Sequence, residues 1–255
     1  MREQLRMTLP ASRPNQFHEI SHKGNKLMKL QYLGDSRDAF KWDYLDFLAK
    51  HTESPELVII PMLTPSDESG QGGDPPNNFS SSPEIQRFCR DLQENRKLKQ
   101  LCNLPEYTSG KYKVRLHRDS AIFVDEQREQ YFSDIKSAGK DVLFLDPDVG
   151  FMPSVASDQH VEYSDIRNIH DNMDESAVIV VFQYFRRIRF YQNYEEISNR
   201  LDNKIKCHKT ALFWNGQVMF VIIGKTKEQI NQVHKINESY QKLPRPVEVI
   251  RGDAE

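Results

Sequence analysis

Two aspartates follow a short apolar run near the middle of the chain. Val142–Leu145 is a run of four apolar residues, which predicts a strand buried on both faces. Asp146, Pro147 and Asp148 come directly after it, and neither aspartate nor proline continues a central strand. Ligands of open α/β sheets bind outside the carboxyl ends of the strands. The sequence therefore predicts a candidate active site at this acidic turn.

The two carboxylates also suit a metal ion. Asp146 and Asp148 are separated by one residue, so in an extended segment their side chains point in the same direction. Paired carboxylates bind Mg²⁺ or Mn²⁺ well, and a metal-dependent nuclease or phosphotransfer enzyme would use them in this way. A third ligand would have to come from Asp35, Asp119 or Glu162. Because only these two acids are clustered and no third ligand lies at a characteristic spacing from them, the sequence predicts no dedicated metal site.

A basic and aromatic segment lies later in the chain. Arg186, Arg187 and Arg189 stand among the aromatic residues of the stretch 184–191. Guanidinium groups pair with phosphate, and aromatic rings stack on bases, so the segment is a candidate nucleic-acid contact. A solvated helix start with packed aromatic residues explains the same pattern equally well.

Composition excludes several classes of protein. Charged residues make up 28% of the 255 residues and the formal net charge is −2, so no global attraction to nucleic acid or to an anionic membrane is expected. No run of about 18 apolar residues occurs, which predicts no transmembrane helix. The first residues lack the apolar core of a signal peptide. Three scattered cysteines form neither a disulfide framework nor a zinc pattern. We expect a cytoplasmic protein without a membrane partner.

Four regions differ in character along the chain. Residues 1–27 are polar and interrupted by proline and glycine, which predicts a poorly ordered N-terminal extension. Residues 28–243 predict a single α/β domain. Within it, residues 64–83 are rich in Ser, Gly, Pro, Asp and Asn, as in a long loop or lid. Residues 244–255 predict a polar tail broken by proline.

Apolar runs and helical stripes alternate through the predicted domain. The runs at 57–63, 142–145 and 177–182 predict buried strands, with amphipathic helices between them. Asn215-Gly216 between two further strand runs predicts a type I′ hairpin. This order predicts an α/β, Rossmann-like fold with a mostly parallel open sheet, helices on both faces and a C-terminal antiparallel β-hairpin.

An open parallel sheet that ends in an antiparallel hairpin resembles the class I S-adenosylmethionine-dependent methyltransferases. One motif strengthens the resemblance: the chain reads Gly34-Asp35-x-x-Asp38-x-x-Lys41-Trp42-x-x-Leu45. It is similar to the Gly-Asn-x-x-Asp-x-x-Lys-His-x-x-Leu element of the 23S ribosomal RNA adenine-N6 methyltransferases of the large subunit. The family's Lys-His pair lies at the cofactor, so the resemblance implies that Gly34, Asp38, Lys41 and Trp42 bind S-adenosylmethionine.

The acidic turn carries the second part of the resemblance. Leu145-Asp146-Pro147-Asp148 resembles the start of the family's Asp-Pro-Pro-Tyr motif. In the family, the Asp side chain and a following backbone carbonyl accept hydrogen bonds from the target amino group, and the aromatic ring stacks on the base. The resemblance therefore implies these roles for Asp146, Pro147 and, four residues later, Phe151. Asp119 is a further candidate for the polar groups of the cofactor.

The chain departs from the family pattern at three places. Trp42 replaces the family His, and Asp148 occupies the position of the second Pro. Pro61-Met62-Leu63-Thr64-Pro65 stands where the glycine-rich cofactor motif is expected. Three hypotheses follow: a methyltransferase-like enzyme acting on a base amino group in nucleic acid, the metal-dependent nuclease or phosphotransfer enzyme, and a non-catalytic Rossmann-like binding module. The first requires that Lys41 and the acidic turn border one hollow.

Overall fold

The structure is a computed structural model. It describes residues 30–65, 73–118, 123–153, 157–184, 189–214 and 218–252. The extension predicted over residues 1–27 lies outside these residues, and so does the centre of the 64–83 loop. Within the described residues the chain forms an α/β fold, as the alternating pattern predicts.

Nine strands occur among the described residues, and seven of them form one sheet in the order β2-β1-β3-β6-β8-β7-β9. β4 and β5 form a separate two-stranded sheet. The strands are β1 (Glu56–Pro61), β2 (Lys113–Leu116), β3 (Val142–Asp146), β4 (Gly150–Phe151), β5 (His160–Val161), β6 (Val178–Tyr184), β7 (His208–Trp214), β8 (Val218–Gly224) and β9 (Val247–Arg251).

Seven α-helices of the described residues cover the two faces of the main sheet. They are α1 (Ser36–His51), α2 (Pro83–Asn95), α3 (Leu104–Thr108), α4 (Arg128–Ser133), α5 (Tyr163–Asn172), α6 (Phe190–Lys204) and α7 (Lys227–Gln241). The apolar residues of α1, α2, α3 and α7 belong to one core cluster, and those of α4, α5 and α6 belong to a second. Helices on both faces are thus confirmed. Among these described helices none combines the length and apolarity needed to cross a membrane.

The sheet is mixed, whereas the sequence predicted a mostly parallel one. The pairings β2–β1, β1–β3 and β3–β6 are parallel, and β6–β8, β8–β7 and β7–β9 are antiparallel. The predicted hairpin is confirmed, because Trp214 of β7 faces Val218 of β8, although the turn between them lies outside the described residues.

The antiparallel half is larger than predicted because the region read as a tail contributes β9. Val247 is buried and Glu248 is exposed, the alternation of a strand with one buried face. The prolines at 244 and 246 precede the strand, where they disrupt no ladder hydrogen bond. β9 therefore pairs along β7 at the edge of the sheet.

Local contacts fix the start of α1. The Asp35 carboxylate accepts hydrogen bonds from the backbone N–H groups of Arg37 and Asp38, at 2.8 and 2.9 Å, as a helix N-cap does. Gly34 precedes it with a φ of +83°, and a Cβ there would lie 2.1 Å from the Cys89 carbonyl oxygen. Only glycine fits that position without a backbone shift, so Gly34 fixes how α1 begins beside α2.

Candidate active site at the carboxyl edge of the sheet

The ends of β1, β3 and β6 meet at one edge of the sheet. Pro61 at the end of β1 is in register with Asp146 at the end of β3, and β6 continues alongside to Tyr184. A cavity of about 90 Å³ lies between these ends and the first turns of α1. It is lined by Tyr32, Lys41, Met62, Leu63, Thr64, Asp146, Pro147, Asp148 and Tyr184.

Lys41 and Asp146 form the centre of the site. The Lys41 ammonium nitrogen lies 2.9 Å from each carboxylate oxygen of Asp146, and it donates a hydrogen bond to Oδ2. The Lys41 side chain is 8% exposed and that of Asp146 is 24% exposed. These residues are 105 positions apart in the chain. The predicted proximity of the α1 motif and the acidic turn is therefore confirmed.

A second carboxylate completes the environment of Lys41. Asp38 Oδ1 lies 3.3 Å from the Lys41 ammonium nitrogen. The other oxygen, Oδ2, accepts a hydrogen bond of 2.9 Å from the Gly34 backbone N–H. Asp38 thus connects the start of α1 to the cation one helical turn later. Gly34 and Asp38, predicted as cofactor ligands, are both engaged within the protein.

The charges of this cluster depend on one another. Burial lowers the pKa of Lys41, but the carboxylates of Asp146 and Asp38 outweigh burial and hold this pKa well above its usual value. Burial raises the pKa of Asp146, and Lys41 opposes that shift. Burial and the neighbouring Asp38 carboxylate raise the pKa of Asp35 to about 6. Lys41 therefore remains protonated and supplies the positive charge of the site.

Aromatic rings form one wall of the site. The Lys41 ammonium nitrogen is 4.5 Å from the centre of the Phe182 ring, a distance at which a cation is attracted to the ring face. The Arg37 guanidinium carbon is 5.5 Å from the centre of the Tyr184 ring. Tyr184 also lines the cavity, and burial raises its hydroxyl pKa. Its phenol is therefore a neutral group.

Tyr184 and Thr64 belong to the site but were not predicted from the sequence. Both lie at the carboxyl ends of strands next to β3, Tyr184 at the end of β6 and Thr64 beyond β1. Parallel strands end at the same edge of a sheet. The sequence signal that could have identified Tyr184 and Thr64 is therefore their position just after an apolar run.

Asp148 also reaches the cavity, beside Asp146. Its Oδ2 accepts a hydrogen bond of 3.2 Å from the Thr64 hydroxyl. No group of three His, Cys, Asp or Glu side chains suited to a metal ion occurs in the described part of the chain.

Of the three residues considered as a third metal ligand, two make other contacts and one lies outside the described residues. Asp35 caps α1. Glu162 is at the start of α5, where an oxygen lies 3.5 Å from the Arg128 guanidinium. Asp119 lies outside the described residues.

Two aromatic residues predicted at the site are directed into the core instead. Trp42 is 1% exposed and packs edge-on against Phe144 with ring centres 6.0 Å apart. Because successive helical residues are rotated by about 100°, Trp42 points away from Lys41. Phe151 is 5% exposed and stacks on Tyr163 at 5.4 Å, within the core on the other face of the sheet.

The short β4–β5 pairing explains the position of Phe151. Gly150 and Phe151 pair with His160 and Val161, and the Phe151 backbone N–H donates a 2.7 Å hydrogen bond to the Gln183 side chain. This pairing turns the chain away from the cavity immediately after the acidic turn. The aromatic residues that line the cavity are Tyr32 and Tyr184.

The basic segment is only partly described. Arg189 is exposed, precedes α6 at its N-cap position and does not line the cavity. Arg186 and Arg187 lie outside the described residues. Their role in binding nucleic acid stays a prediction.

Comparisons with protein-family models and with curated protein sequences find no match to this chain. Function is therefore inferred from the chemistry of the site. The site combines a carboxylate held by a buried lysine, a neighbouring proline and an aromatic ring at the carboxyl edge of the sheet.

Proposed function

We propose that the protein is a Rossmann-like, S-adenosylmethionine-dependent methyltransferase-like enzyme that acts on an amino group of a nucleic-acid base. The observation that carries the proposal is the contact between Lys41 and Asp146, at 2.9 Å. It joins the two motifs on which the resemblance to adenine-N6 methyltransferases rests, although they are far apart in sequence.

The topology supports the same assignment. The parallel strands β2, β1, β3 and β6 are followed by an antiparallel hairpin, β7 and β8, which is the arrangement expected of a class I methyltransferase fold. The acidic turn follows β3, a central strand of the sheet. Substrate binding at this edge agrees with the general position of ligands in open α/β sheets.

Asp146 has the properties of an acceptor for an amino group. An ionised carboxylate offers about four acceptor positions, and Lys41 occupies those on the buried side of Asp146. The 24% of the side chain that is exposed leaves acceptor capacity toward the cavity. Two hydrogen bonds, one to the Asp146 carboxylate and one to the Pro147 carbonyl, would orient the target amine. Lys41 is then a positioning residue, because it fixes the carboxylate and favours its ionised form.

Tyr184 is better placed than Phe151 to contact the base. Its ring lines the cavity beside Asp146, with Arg37 over the ring. A base stacked on an aromatic ring gains about 1–3 kcal/mol. We therefore transfer the stacking role from Phe151 to Tyr184.

The size of the cavity limits what these residues bind. Ligand pockets for whole small molecules have volumes of roughly 300–1,000 Å³, whereas this cavity measures about 90 Å³. It fits the amino group and adjacent ring edge of a base. It does not fit a whole cofactor, so the proposal assigns no contact with S-adenosylmethionine to the described residues. In the proposed reaction, S-adenosylmethionine would supply the methyl group when it is bound.

Two measurements on the full chain test the function. Calorimetry with S-adenosylmethionine measures cofactor binding, and transfer of a labelled methyl group to single-stranded RNA or DNA measures activity. We expect Asp146→Asn to abolish transfer, because an amide lacks the charge that holds the amine. Asp171→Asn, an exposed acid on α5 that is 61% exposed, is the matched control and should retain activity.

The rival functions give different results. Absence of cofactor binding at millimolar concentration would remove the methyltransferase proposal. Cleavage of nucleic acid that needs Mg²⁺ or Mn²⁺ and is lost in Asp146→Asn would favour the nuclease hypothesis. Binding of nucleic acid without either activity would favour the binding module.

A further inference from the structure

A second cavity, of about 210 Å³, lies at the opposite edge of the sheet. β7 is antiparallel to β8, and its first residue, His208, faces Gly224 at the end of β8. Because β8 is also antiparallel to β6, the end of β8 lies beside the start of β6. The start of β7 is therefore at the same edge of the sheet as the amino ends of the parallel strands. The cavity lies between this strand, α7 and the end of β9. Its wall includes Thr210, Lys227, Ile230, Asn231, His234 and Arg251.

The polar side chains of this wall are suited to bind an anion. Lys227 and Arg251 are cations, His234 gains a positive charge on protonation, and Asn231 carries a neutral hydrogen-bond donor. The Thr210 hydroxyl donates its proton to the Ile250 carbonyl oxygen at 2.8 Å, so it holds the wall rather than a ligand. No aspartate or glutamate is among the described residues that line the cavity. The carboxyl-edge cavity, by contrast, contains two carboxylates.

The backbone directs these groups to one side of the sheet. Val247 and Val249 of β9 pack in the core cluster that contains α7, so Arg251, two residues later, points to the same face. Arg251 is in register with Thr210 of β7. The Thr210 hydroxyl oxygen lies 3.2 Å from His234 Nδ1 on α7. The three elements therefore present their polar groups to a common space.

The positive charge of the cavity is only weakly neutralised. Among the described residues, the acid that pairs with a side chain of the wall is Glu238, which lies 3.5 Å from His234 Nε2 and is 54% exposed. Burial lowers the pKa of His234, Glu238 opposes this shift and the Arg251 charge adds to it. Lys209 lies on the adjacent strand position, but its ammonium group pairs with Asp202 on α6. The Arg251 charge thus acts at His234 in the cavity.

We propose that this amino-edge cavity binds a phosphoryl group. Arginine pairs with phosphate through two parallel N–H groups, and lysine contributes a point charge. The shared chemistry is that of free phosphate, a nucleoside monophosphate or a phosphate of a nucleic-acid backbone. The site is separate from the carboxyl-edge cavity and does not depend on the proposed methyl transfer.

Titration of the full chain with inorganic phosphate tests the site, read out by calorimetry and by the His234 ring resonance. We expect saturable binding at millimolar phosphate and a shift of the His234 resonance. Arg251→Gln and Lys227→Gln should each weaken binding about tenfold, since each removes a hydrogen bond to a charged group. Lys227 and Arg251 are exposed, so both variants should fold.

Lys235→Gln is the matched control, because it removes the same charge from an exposed position of α7 outside the cavity. Equal weakening in Lys235→Gln and Arg251→Gln would show a general charge effect and overturn the proposal. The same conclusion follows if millimolar phosphate leaves the His234 resonance unmoved. Parallel titrations with a nucleoside monophosphate and a short single-stranded oligonucleotide identify the source of the phosphoryl group by the tightest binding.

Discussion

The two edges of the central sheet differ in how they balance charge. At the carboxyl edge, Asp146 and Asp38 surround the single ammonium group of Lys41, which is 8% exposed. At the amino edge, Lys227, His234 and Arg251 line a cavity whose described wall has no carboxylate. The first cluster contains its own counter-ion, whereas the second has charge available to a ligand.

The charge arrangements at the two edges have different consequences for the stability of the fold and for ligand binding. A buried ion pair stabilises only while both partners are present, and loss of one leaves an uncompensated charge away from water. Exposed cations contribute little to folding, but they attract anions. We therefore expect changes at the carboxyl edge to affect unfolding most strongly, and changes at the amino edge to affect ligand binding.

The largest effect is expected from Lys41→Met. This change leaves the carboxylates of Asp38 and Asp146 without their counter-ion, and breaking a buried pair costs about 3 kcal/mol or more of unfolding free energy. Arg167→Met is the control, because Arg167 pairs with Asp171 on α5 and their side chains are 62% and 61% exposed. Surface pairs contribute below about 1 kcal/mol. Urea denaturation of both variants measures the difference.

A double variant separates the charge effect from lost packing. Lys41→Met combined with Asp146→Asn should be destabilised by at least about 1 kcal/mol less than the sum of the single changes, as expected for contacting residues. Strict additivity would mean that the ion pair contributes no coupling energy.

The next effect concerns pH and Asp35. Its pKa is raised from 3.8 to about 6 in the folded chain, so the unfolded chain loses this proton first as the pH rises. The contribution of Asp35 to stability is complete below pH 3.8 and is lost as the pH rises to about 6. Between pH 4 and pH 7, the stability of the wild type relative to Asp35→Asn should fall by about 2 kcal/mol.

Asn keeps the helix cap, so Asp35→Asn isolates the ionisation. Denaturant titrations at several pH values measure it. A wild type that gains stability relative to this variant over the same range would indicate a lowered pKa for Asp35.

A smaller effect tests whether the two edges are independent. Asp35 lies at the start of α1 beside the carboxyl-edge site, and Arg251 lies at the amino edge. Sites this far apart add to within about 0.5 kcal/mol. The double variant Asp35→Asn, Arg251→Gln should therefore have the summed change in unfolding free energy, measured by urea denaturation. A larger deviation would show that the sheet couples its two ends.

The smallest effect is a shift in the pKa of His234. Arg251 lowers this pKa and Glu238 raises it, while burial, the largest cause, lowers it. Arg251→Gln should raise the pKa of His234, and Glu238→Gln should lower it. A pH titration of the His234 ring signal by NMR measures both. Shifts of the same sign in the two variants would contradict the proposed charge distribution.

Local patterns predicted the elements of the carboxyl-edge site. The run Val142–Leu145 with its acidic turn placed the end of β3. That Lys41 and Asp146 are neighbours was implied only by the resemblance to the adenine-N6 methyltransferases, because Lys41 lies on a helix whose packing no local pattern specifies.

The same patterns failed for side chains whose direction depends on distant contacts. Trp42 and Phe151 were assigned to the site from their positions in motifs, but both pack in the core. The burial of a large aromatic side chain is worth more than its exposure at a polar edge. Nothing in the neighbouring residues shows which of the adjacent side chains, Lys41 or Trp42, faces the cavity.

By itself, the sequence determined the α/β class, the apolar strands and the hairpin of the C-terminal half, because these depend on propensity and periodicity among near neighbours. Tertiary structure decided that β9 joins the sheet, that Tyr184 takes the place of Phe151 at the cavity, and that Thr210, His234 and Arg251 meet at the amino edge. These features depend on strand register and long-range burial, which sum over residues far apart in the chain and leave no local signature.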